Sequence, residues 1–229
     1  LSLALSLSLP AGALPGDFTA EYSVRRDGTR IGRTVWTLEH QGEGRHRFRS
    51  VTRATGFLSL FLSGKRTEES LWAWHEGRPR PLRYRYLWTG RKGRDVTVDF
   101  DWQEGTARNI HGDDAWTQDI APETLDKFLY LLVMMEDLAA ERRPLEYLIA
   151  DGGRVKTYRV ERRGREVLET PAGRLETVRL FRPDPRGKRD TTLWAAPALD
   201  YLPVQVEHRD DDELLRMVIE EVEGIPLPP

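Results

Sequence analysis

The stretch 82-LRYRYLWTGRKGRDVTVDFDW-102 alternates apolar and polar side chains along two runs that are separated by a glycine-containing turn. A period of two residues is typical of a β-strand with one buried face, and a short turn with glycine joins antiparallel strands. The stretch therefore predicts a two-stranded hairpin with large side chains on its inner face. The apolar positions are Leu82, Tyr84, Tyr86 and Trp88 in the first run and Val96, Val98, Phe100 and Trp102 in the second.

The same period recurs through most of the chain. Residues 18–25 alternate in this way, and 26-RDGTRIG-32 supplies a turn before a second run through Trp36 and Leu38. Together the runs predict roughly ten or eleven strands, a number that suits one large sheet that curls or closes. Weaker alternation marks residues 44–53, 68–75, 154–161, 174–182, 190–195, 202–209 and 213–222.

One segment, 121-APETLDKFLYLLVMMEDLAAERRP-144, breaks the period. Pro122 suits a first helical turn and Pro144 stops a helix, so the segment predicts an α-helix of about 20 residues over 122–142. Its apolar positions cover most of the circumference, which favours a helix that is covered on several sides. We expect it to plug the concave side of the sheet; a helix lying against a flat face is the alternative.

These elements predict a mainly β fold with one long α-helix. The large antiparallel sheet is expected to curl into an incomplete barrel, with the helix packed on its concave side. A chain of 229 residues is long enough for one substantial core. We therefore expect residues 14–229 to form a single barrel-like domain.

The first residues, 1-LSLALSLSLPAGALPGD-17, are uncharged before Asp17. Ala11-Gly12-Ala13 fits the small-residue cleavage site of a secretory signal, so residues 1–13 are interpreted as a signal peptide whose basic n-region is missing. The mature protein would begin near Leu14 and would be an exported, soluble, periplasmic protein. A buried strand or a short anchor is the alternative, although a bilayer span needs about 20 residues.

Composition and motifs exclude several classes of function. The 35 basic residues are balanced by 37 acidic ones, which argues against a nucleic-acid partner. The absence of cysteine excludes thiol catalysis and zinc–thiolate sites. No metal-ligand spacing, nucleophile elbow or phosphate loop occurs, so we expect no cofactor, no metal and no enzymatic activity. Asp99 and Asp101 could serve a glycan-active enzyme as acid and base. This alternative is remote, because the two side chains face away from Phe100 and Trp102 and would be exposed to solvent.

Two sets of apolar residues are candidate binding groups. Aromatic side chains from neighbouring strands could line a cavity together with the helix, although they could equally form the core. The stretch 56-GFLSLFLSG-64 could form a lid or touch a membrane, or it could cover one end of the barrel. The cavity candidates are Trp72, Trp74, Tyr84, Tyr86, Trp88, Phe100, Trp102, Phe128 and Leu132, and the lid candidates are Phe57, Leu58, Leu60, Phe61 and Leu62.

Several phrases together resemble a bacterial family, Domain of Unknown Function 3108, over roughly residues 17 to 222. They include Tyr22-x-Val24, 98-VDFDW-102, 164-GREVLETPAG-173 and 194-WAAPALDYLPVQVE-207. The resemblance implies an envelope protein without established catalytic residues. Trp194 with Leu202-Pro203-Val204 is also similar to the LolA and LolB type of periplasmic lipoprotein carrier, which implies an incomplete barrel with a helical plug around an acyl-binding cavity.

The leading hypothesis is a periplasmic, non-enzymatic protein that binds a hydrophobic ligand in the curled sheet. The expected partners are a lipid or a lipoprotein, with transient membrane contact. The competing hypothesis is an envelope scaffold or interaction protein with a filled core and no small-molecule ligand.

Overall fold

The computed structural model describes residues 14–55, 64–90, 93–184, 187, 189–210 and 213–226. These residues form one α-helix, α1 (Leu129–Ala139), a short 3-10 turn (Pro197–Leu199) and a 15-stranded sheet. The strands are β1 (Phe18–Arg26), β2 (Thr29–Gly42), β3 (Arg45–Ala54), β4 (Lys65–His75), β5 (Arg78–Trp88), β6 (Arg94–Asp101), β7 (Thr106–His111), β8 (Asp114–Asp119), β9 (Leu125–Asp126), β10 (Leu145–Ala150), β11 (Val155–Thr170), β12 (Gly173–Arg182), β13 (Arg189–Ala196), β14 (Leu202–Asp210) and β15 (Glu213–Glu223).

The sheet runs from β8 back to β1, then from β15 back to β9, so the first and last strands are neighbours in its middle. Every pair is antiparallel except β9 with β10. The predicted mainly β fold with one large antiparallel sheet is confirmed, and so is the hairpin of the opening stretch, in which Tyr84 pairs with Val98. The sheet does not close, because β8 and β9 remain its two edges.

Four of the fifteen strands, β7 to β10, were not predicted as strands. In β7 the inward positions carry Ala107 and Asn109, and β8 is exposed along most of its length, so neither shows an alternation of large apolar residues. β9 is only two residues long. β7, β8 and β9 form because a neighbouring strand supplies hydrogen-bond partners, which a period in the chain itself does not reveal. β10 differs, because its buried Leu145, Tyr147 and Ile149 alternate with more exposed residues and could have predicted a strand.

The two ends of the sheet approach each other in space. The strand β5 lies against β9, although the two stand far apart in the order of the sheet. The indole of Trp116, on β8, covers Gly153 in the turn between β10 and β11. We call the region where β5 and β8 face β9, β10 and this turn the seam. The sheet is therefore curled, and side chains rather than a backbone ladder meet across its opening.

The helix is shorter than predicted, with 11 residues instead of about 20. The chain over 122–128 is not helical, because Leu125 and Asp126 extend to pair with Ile149 and Ala150. Asp126 Oδ1 then accepts hydrogen bonds from the backbone N–H groups of Phe128 (2.8 Å) and Leu129 (2.7 Å), which fixes the start of α1.

The helix ends in a Schellman motif. The backbone N–H of Arg142 donates to the carbonyl of Asp137 (2.8 Å), and that of Glu141 donates to Leu138 (3.2 Å). Glu141 takes the left-handed conformation that this motif requires, with φ of 53°. The helix therefore ends at Ala139, five residues before Pro144, which was predicted to stop it.

Every residue of α1 from Leu129 to Leu138 is buried. Leu132 and Met134, on different sides of the helix, are both fully covered. They belong to one continuous core with side chains of strands in both halves of the sheet, such as Phe48 and Leu193. The helix thus lies inside the curled sheet. The alternative, in which the helix lies against a flat face of the sheet, is wrong.

The last strands return through the Leu-Pro-Val step expected from the sequence. Leu202, Pro203 and Val204 are all buried at the start of β14. The hydroxyl of Tyr22 donates a hydrogen bond to the carbonyl of Pro203 (3.0 Å) inside the core. This contact joins β1 to β14 across β15, in the middle of the sheet.

Candidate functional site

The nine predicted cavity residues do not form one group. Trp72, Tyr84, Phe128 and Leu132 are buried in the continuous core. Tyr86, Trp88, Phe100 and Trp102 are half-buried, and Trp74 is 43% exposed. The predicted lid residues Phe57, Leu58, Leu60, Phe61 and Leu62 lie outside the described residues.

Contacts with other aromatic rings position Phe128 and Trp72, two of the buried members of the set. The ring of Phe128, just before α1, stacks on Phe48 with centroids 4.0 Å apart and meets Trp36 edge-on at 5.7 Å. Trp72 stacks on His46 at 4.4 Å. Such pairs fix ring positions within a core. These rings contact one another, so the helix and the aromatic side chains fill the concave side together.

A cleft of about 430 Å³ lies at the seam instead. Its walls come from the β4–β5 turn and the first part of β5, from the chain entering β9, and from β10, while α1 forms the floor. Pro79, Pro81, Leu125, Val133 and Leu148 give it an apolar wall. None of the nine predicted residues lines this cleft.

Charged side chains converge at one end of the cleft. Arg78 donates to both carboxylate oxygens of Asp137, at 2.8 and 3.4 Å, and lies 3.3 Å from Glu136. Arg142 contacts the same two acids at 2.9 and 3.1 Å. Both carboxylates are buried, and two guanidinium groups compensate them. This cluster joins β5 to the C-terminal end of α1, across the part of the sheet that lacks a backbone ladder.

A second pair of carboxylates lies inside the sheet. Asp126 accepts a hydrogen bond from Ser70 (2.5 Å), in addition to the two backbone N–H groups that begin the helix. Burial raises the pKa of Asp126 to about 6, against the lowering effect of these hydrogen bonds. Glu68 accepts a hydrogen bond from Tyr84 (2.6 Å), and burial likewise raises its pKa, against the charge of Lys127.

Lys127 connects these interior carboxylates to Asp151, the residue that follows β10. Its ammonium group lies 5.7 Å from the ring of Tyr86 and 3.9 Å from Asp151. Asp151 also accepts a hydrogen bond from Lys156 (2.6 Å). Burial opposes ionisation of Asp151, but Lys156 and Lys127 together hold its pKa below the usual value. The interior acids therefore have defined structural partners.

Asp99 and Asp101, considered above as a catalytic pair, are engaged in the sheet surface. Asp99 accepts a hydrogen bond from Arg83 (2.5 Å) on the neighbouring strand. Asp101 accepts two from the backbone N–H groups of Gln103 and Glu104, both at 3.0 Å, and so orders the β6–β7 turn. Within the described residues, no group of three or more His, Cys, Asp or Glu side chains is arranged to hold a metal ion.

Sequence reasoning missed the seam cleft and its charges. Arg78, Asp137 and Tyr147 come from three separate segments, and the spacing along the chain does not connect them. One signal was available: Glu136 and Asp137 interrupt an otherwise apolar helix, and buried carboxylates require cationic partners. Two acids in a covered helix thus predict arginines nearby, although not which ones.

The fold and cleft define a mainly β protein whose open, curled sheet surrounds a buried helix. The model of the family described as "Protein of unknown function (DUF3108)" matches residues 17–220. The chain belongs to this family, as its sequence phrases predicted. No curated protein matches the chain. In the described residues, no helix is long and apolar enough to cross a membrane.

Solved structures are similar to this chain at low sequence identity. A β-barrel-like protein of Domain of Unknown Function DUF1849 from Brucella abortus is 10% identical, with a TM-score of 0.58 over 92% of this chain and 98% of its own. A protein of YmcC-like fold from Bacteroides fragilis is 11% identical, with a TM-score of 0.37 over 93% and 99%. LprF from Mycobacterium bovis is 13% identical, with a TM-score of 0.30 over 93% and 88%. The first similarity supports the fold alone.

Proposed function

We propose that this protein is an exported, non-enzymatic protein of the cell envelope that binds a lipid-like ligand in the seam cleft. The observation that supports it most is the cleft itself, which combines an apolar wall with a polar rim in a volume of about 430 Å³. Small-molecule sites are commonly concave, mostly apolar and oriented by a few polar groups.

The proposal places the ligand at the seam rather than on the concave side of the sheet. Apart from the floor of the cleft at Val133 and Asp137, α1 packs into the core with Phe48 and Phe128, so the inside is occupied by the protein's own side chains. At the seam, by contrast, Leu148 is half-buried and faces a space that is open to solvent. An acyl chain there would cover the half-buried Leu148 and contact the edges of the buried Pro79 and Pro81.

The polar groups of the cleft would orient the hydrated end of such a ligand. Thr124 Oγ1 is buried and has no hydrogen-bond partner among the described residues, although it lines the cleft. Tyr147 also lines the cleft, beside Asp137. A ligand carbonyl or hydroxyl group could satisfy Thr124, since buried polar atoms are usually paired.

Ligand uptake by the purified protein tests this function. Native mass spectrometry should detect a co-purifying lipid, and a fluorescent fatty acid should bind saturably. Leu148→Trp would place an indole in the cleft and is expected to weaken uptake by about tenfold or more, since it occupies space that the ligand needs. Val167→Trp is the control, because Val167 is 45% exposed on β11 and does not line the cleft. Equal uptake by both variants would contradict the placement.

A filled core favours the second candidate function, an envelope scaffold or interaction protein. The helix and the strands of both halves share one continuous core, which needs no ligand to be complete. If the protein purifies without lipid and takes up no fatty acid, this function replaces the first. The third hypothesis is a glycan-active enzyme that uses Asp99 or Asp101 as its acid or base. Unchanged activity of the Asp99→Ala and Asp101→Ala variants would remove that hypothesis.

The envelope location rests on the sequence of residues 1–13, which lie outside the described residues. N-terminal sequencing of protein from a periplasmic fraction should begin close to Leu14. Retention of residues 1–13 on a cytoplasmic protein would contradict export.

A further inference from the structure

A second cavity, of about 240 Å³, lies beside the C-terminal end of α1, between the chain that leaves the helix and strands β11 and β12. Its polar lining consists of Arg143, Arg162 and Arg165 with Glu141 and Tyr201. Three guanidinium groups against one carboxylate leave an excess of two positive charges around the cavity.

Unlike many arginines of this protein, these three form no ion pair with a carboxylate in the described part of the chain. On the same strand, Arg159 pairs with Glu146 (3.0 Å) and Arg163 with Glu161 (2.5 Å). The Nε and Nη2 atoms of Arg162 are buried and have no hydrogen-bond partner among the described residues. Buried donors of a charged group are seldom left unsatisfied, so an acceptor from outside the chain would complete this site.

The local backbone brings the cationic side chains together. Residues three apart on a regular strand face opposite sides of the sheet. Between Arg162 and Gly164, however, the register of β11 against β12 shifts by one residue, so that Arg162 lies opposite Leu180 and Arg165 opposite Val178. Such a bulge re-aims side chains. Because of it, Arg162 and Arg165 share one face and line the same cavity.

We infer that this cavity binds an oxyanion of the phosphate type. The guanidinium groups of Arg162 and Arg165 would donate paired N–H groups to its oxygens, and Arg143 would add a charge at the rim. Glu141, also at the rim, reduces the net positive charge of the lining to two, which matches the charge of a dianion. The site is separate from the seam cleft, so it does not depend on the proposed lipid-like ligand.

Calorimetry with inorganic phosphate on the full chain tests the inference. Arg162→Gln and Arg165→Gln are each expected to weaken binding by about tenfold or more, because each removes charge-assisted hydrogen bonds. Arg163→Gln is the matched control, since Arg163 lies on the same strand but does not line the cavity. If Arg162→Gln does not fold, the Arg165→Gln variant alone tests the inference, because Arg165 is exposed and its replacement should not prevent folding.

The source of the phosphate is distinguished with a short-chain phosphatidylglycerol below its micelle concentration. Tighter binding of this lipid than of inorganic phosphate, lost in the same two variants, assigns the cavity to a lipid headgroup. Binding of inorganic phosphate alone assigns it to a free oxyanion. No saturable binding of either, or equal weakening in Arg163→Gln, overturns the inference, whereas Leu148→Trp should leave it unchanged.

Discussion

Trp116 lies against Gly153, so that an indole on the edge strand β8 covers the turn between β10 and β11. The two residues belong to opposite ends of a sheet that has no hydrogen-bonded ladder between those ends. Gly153 has a φ of 77° and no room for a side chain beneath the ring. The contact therefore holds the seam closed at one point and depends on glycine.

Gly153→Ala should destabilise the protein more than Gly152→Ala. Both positions have positive φ, and a non-glycine residue there costs about 1 to 2 kcal/mol. Only position 153 adds a clash with the Trp116 ring, which we expect to cost a further ~1 to 3 kcal/mol. Denaturant unfolding measures both, and Trp116→Ala should relieve the difference. Equal losses in the two glycine variants would mean that the indole does not close the seam.

The covered helix predicts large effects on two of its sides. Leu132 is fully buried in the core, so Leu132→Ala should cost about 2 to 5 kcal/mol of unfolding free energy. Val133→Asp should be at least as damaging, because it places an unpaired carboxylate at a position only 2% exposed. Chemical denaturation of both variants, with Val167→Ala as an exposed control, checks this. A nearly neutral Val133→Asp would show that this side of the helix is accessible.

Titration of Asp126 should make the free energy of unfolding depend on pH. Folding raises its pKa from 3.8 to about 6, so the native state binds more protons than the unfolded chain between these values. The stabilisation is fully present below pH 3.8 and is lost as pH rises through about 6. The difference of about two pKa values corresponds to roughly 3 kcal/mol.

Asp126→Asn should flatten this slope while it retains an acceptor for the Phe128 and Leu129 N–H groups. Unfolding free energies measured from pH 4 to 7 compare the two proteins, and Asp101→Asn serves as an exposed control. A smaller fall with the same sign should persist, because burial also raises the pKa of Glu68. An unchanged slope in Asp126→Asn would assign the titration to another group.

Removing Arg78 should loosen the attachment of α1 to β5. Arg78→Gln leaves the buried Glu136 and Asp137 with Arg142 alone, at an expected cost of about 1 to 3 kcal/mol. Arg83→Gln is the control, since Arg83 is more exposed and pairs with a surface acid. Urea unfolding distinguishes the two, and hydrogen exchange should speed up near the C-terminal end of the helix. Equal small losses would show that the ion pairs at the seam contribute little.

Except for β10, the sequence predicted the strands whose inner faces carry large apolar side chains, because those residues recur with a period of two. It did not predict β7 and β8, where Ala107, Asn109 and a row of exposed residues carry no such pattern. The predicted helix began too early because Pro122 and Glu123 look like a helical first turn. Asp126, whose carboxylate fixes the actual start, could be identified as a cap only once β9 was known to end there.

The candidate sites were harder to predict than the fold. The aromatic residues suggested a cavity, but composition does not reveal whether rings contact one another or a ligand, as Phe128 and Phe48 show. The seam cleft arises where β5 meets β9, and the cationic cavity arises from a bulge near Arg162. Both depend on the curl of the sheet and on local register, which are properties of the assembled chain.

The pairing of β1 with β15 places Thr19 opposite Glu223 in the middle of the sheet. The two halves of the sheet can therefore join only after the whole chain has been synthesised. Contacts between residues so far apart in sequence slow folding, since the loop must close before its contacts contribute. Until β15 has emerged, a nascent chain of this topology can form only the pairings of consecutive strands, such as those from β1 to β8.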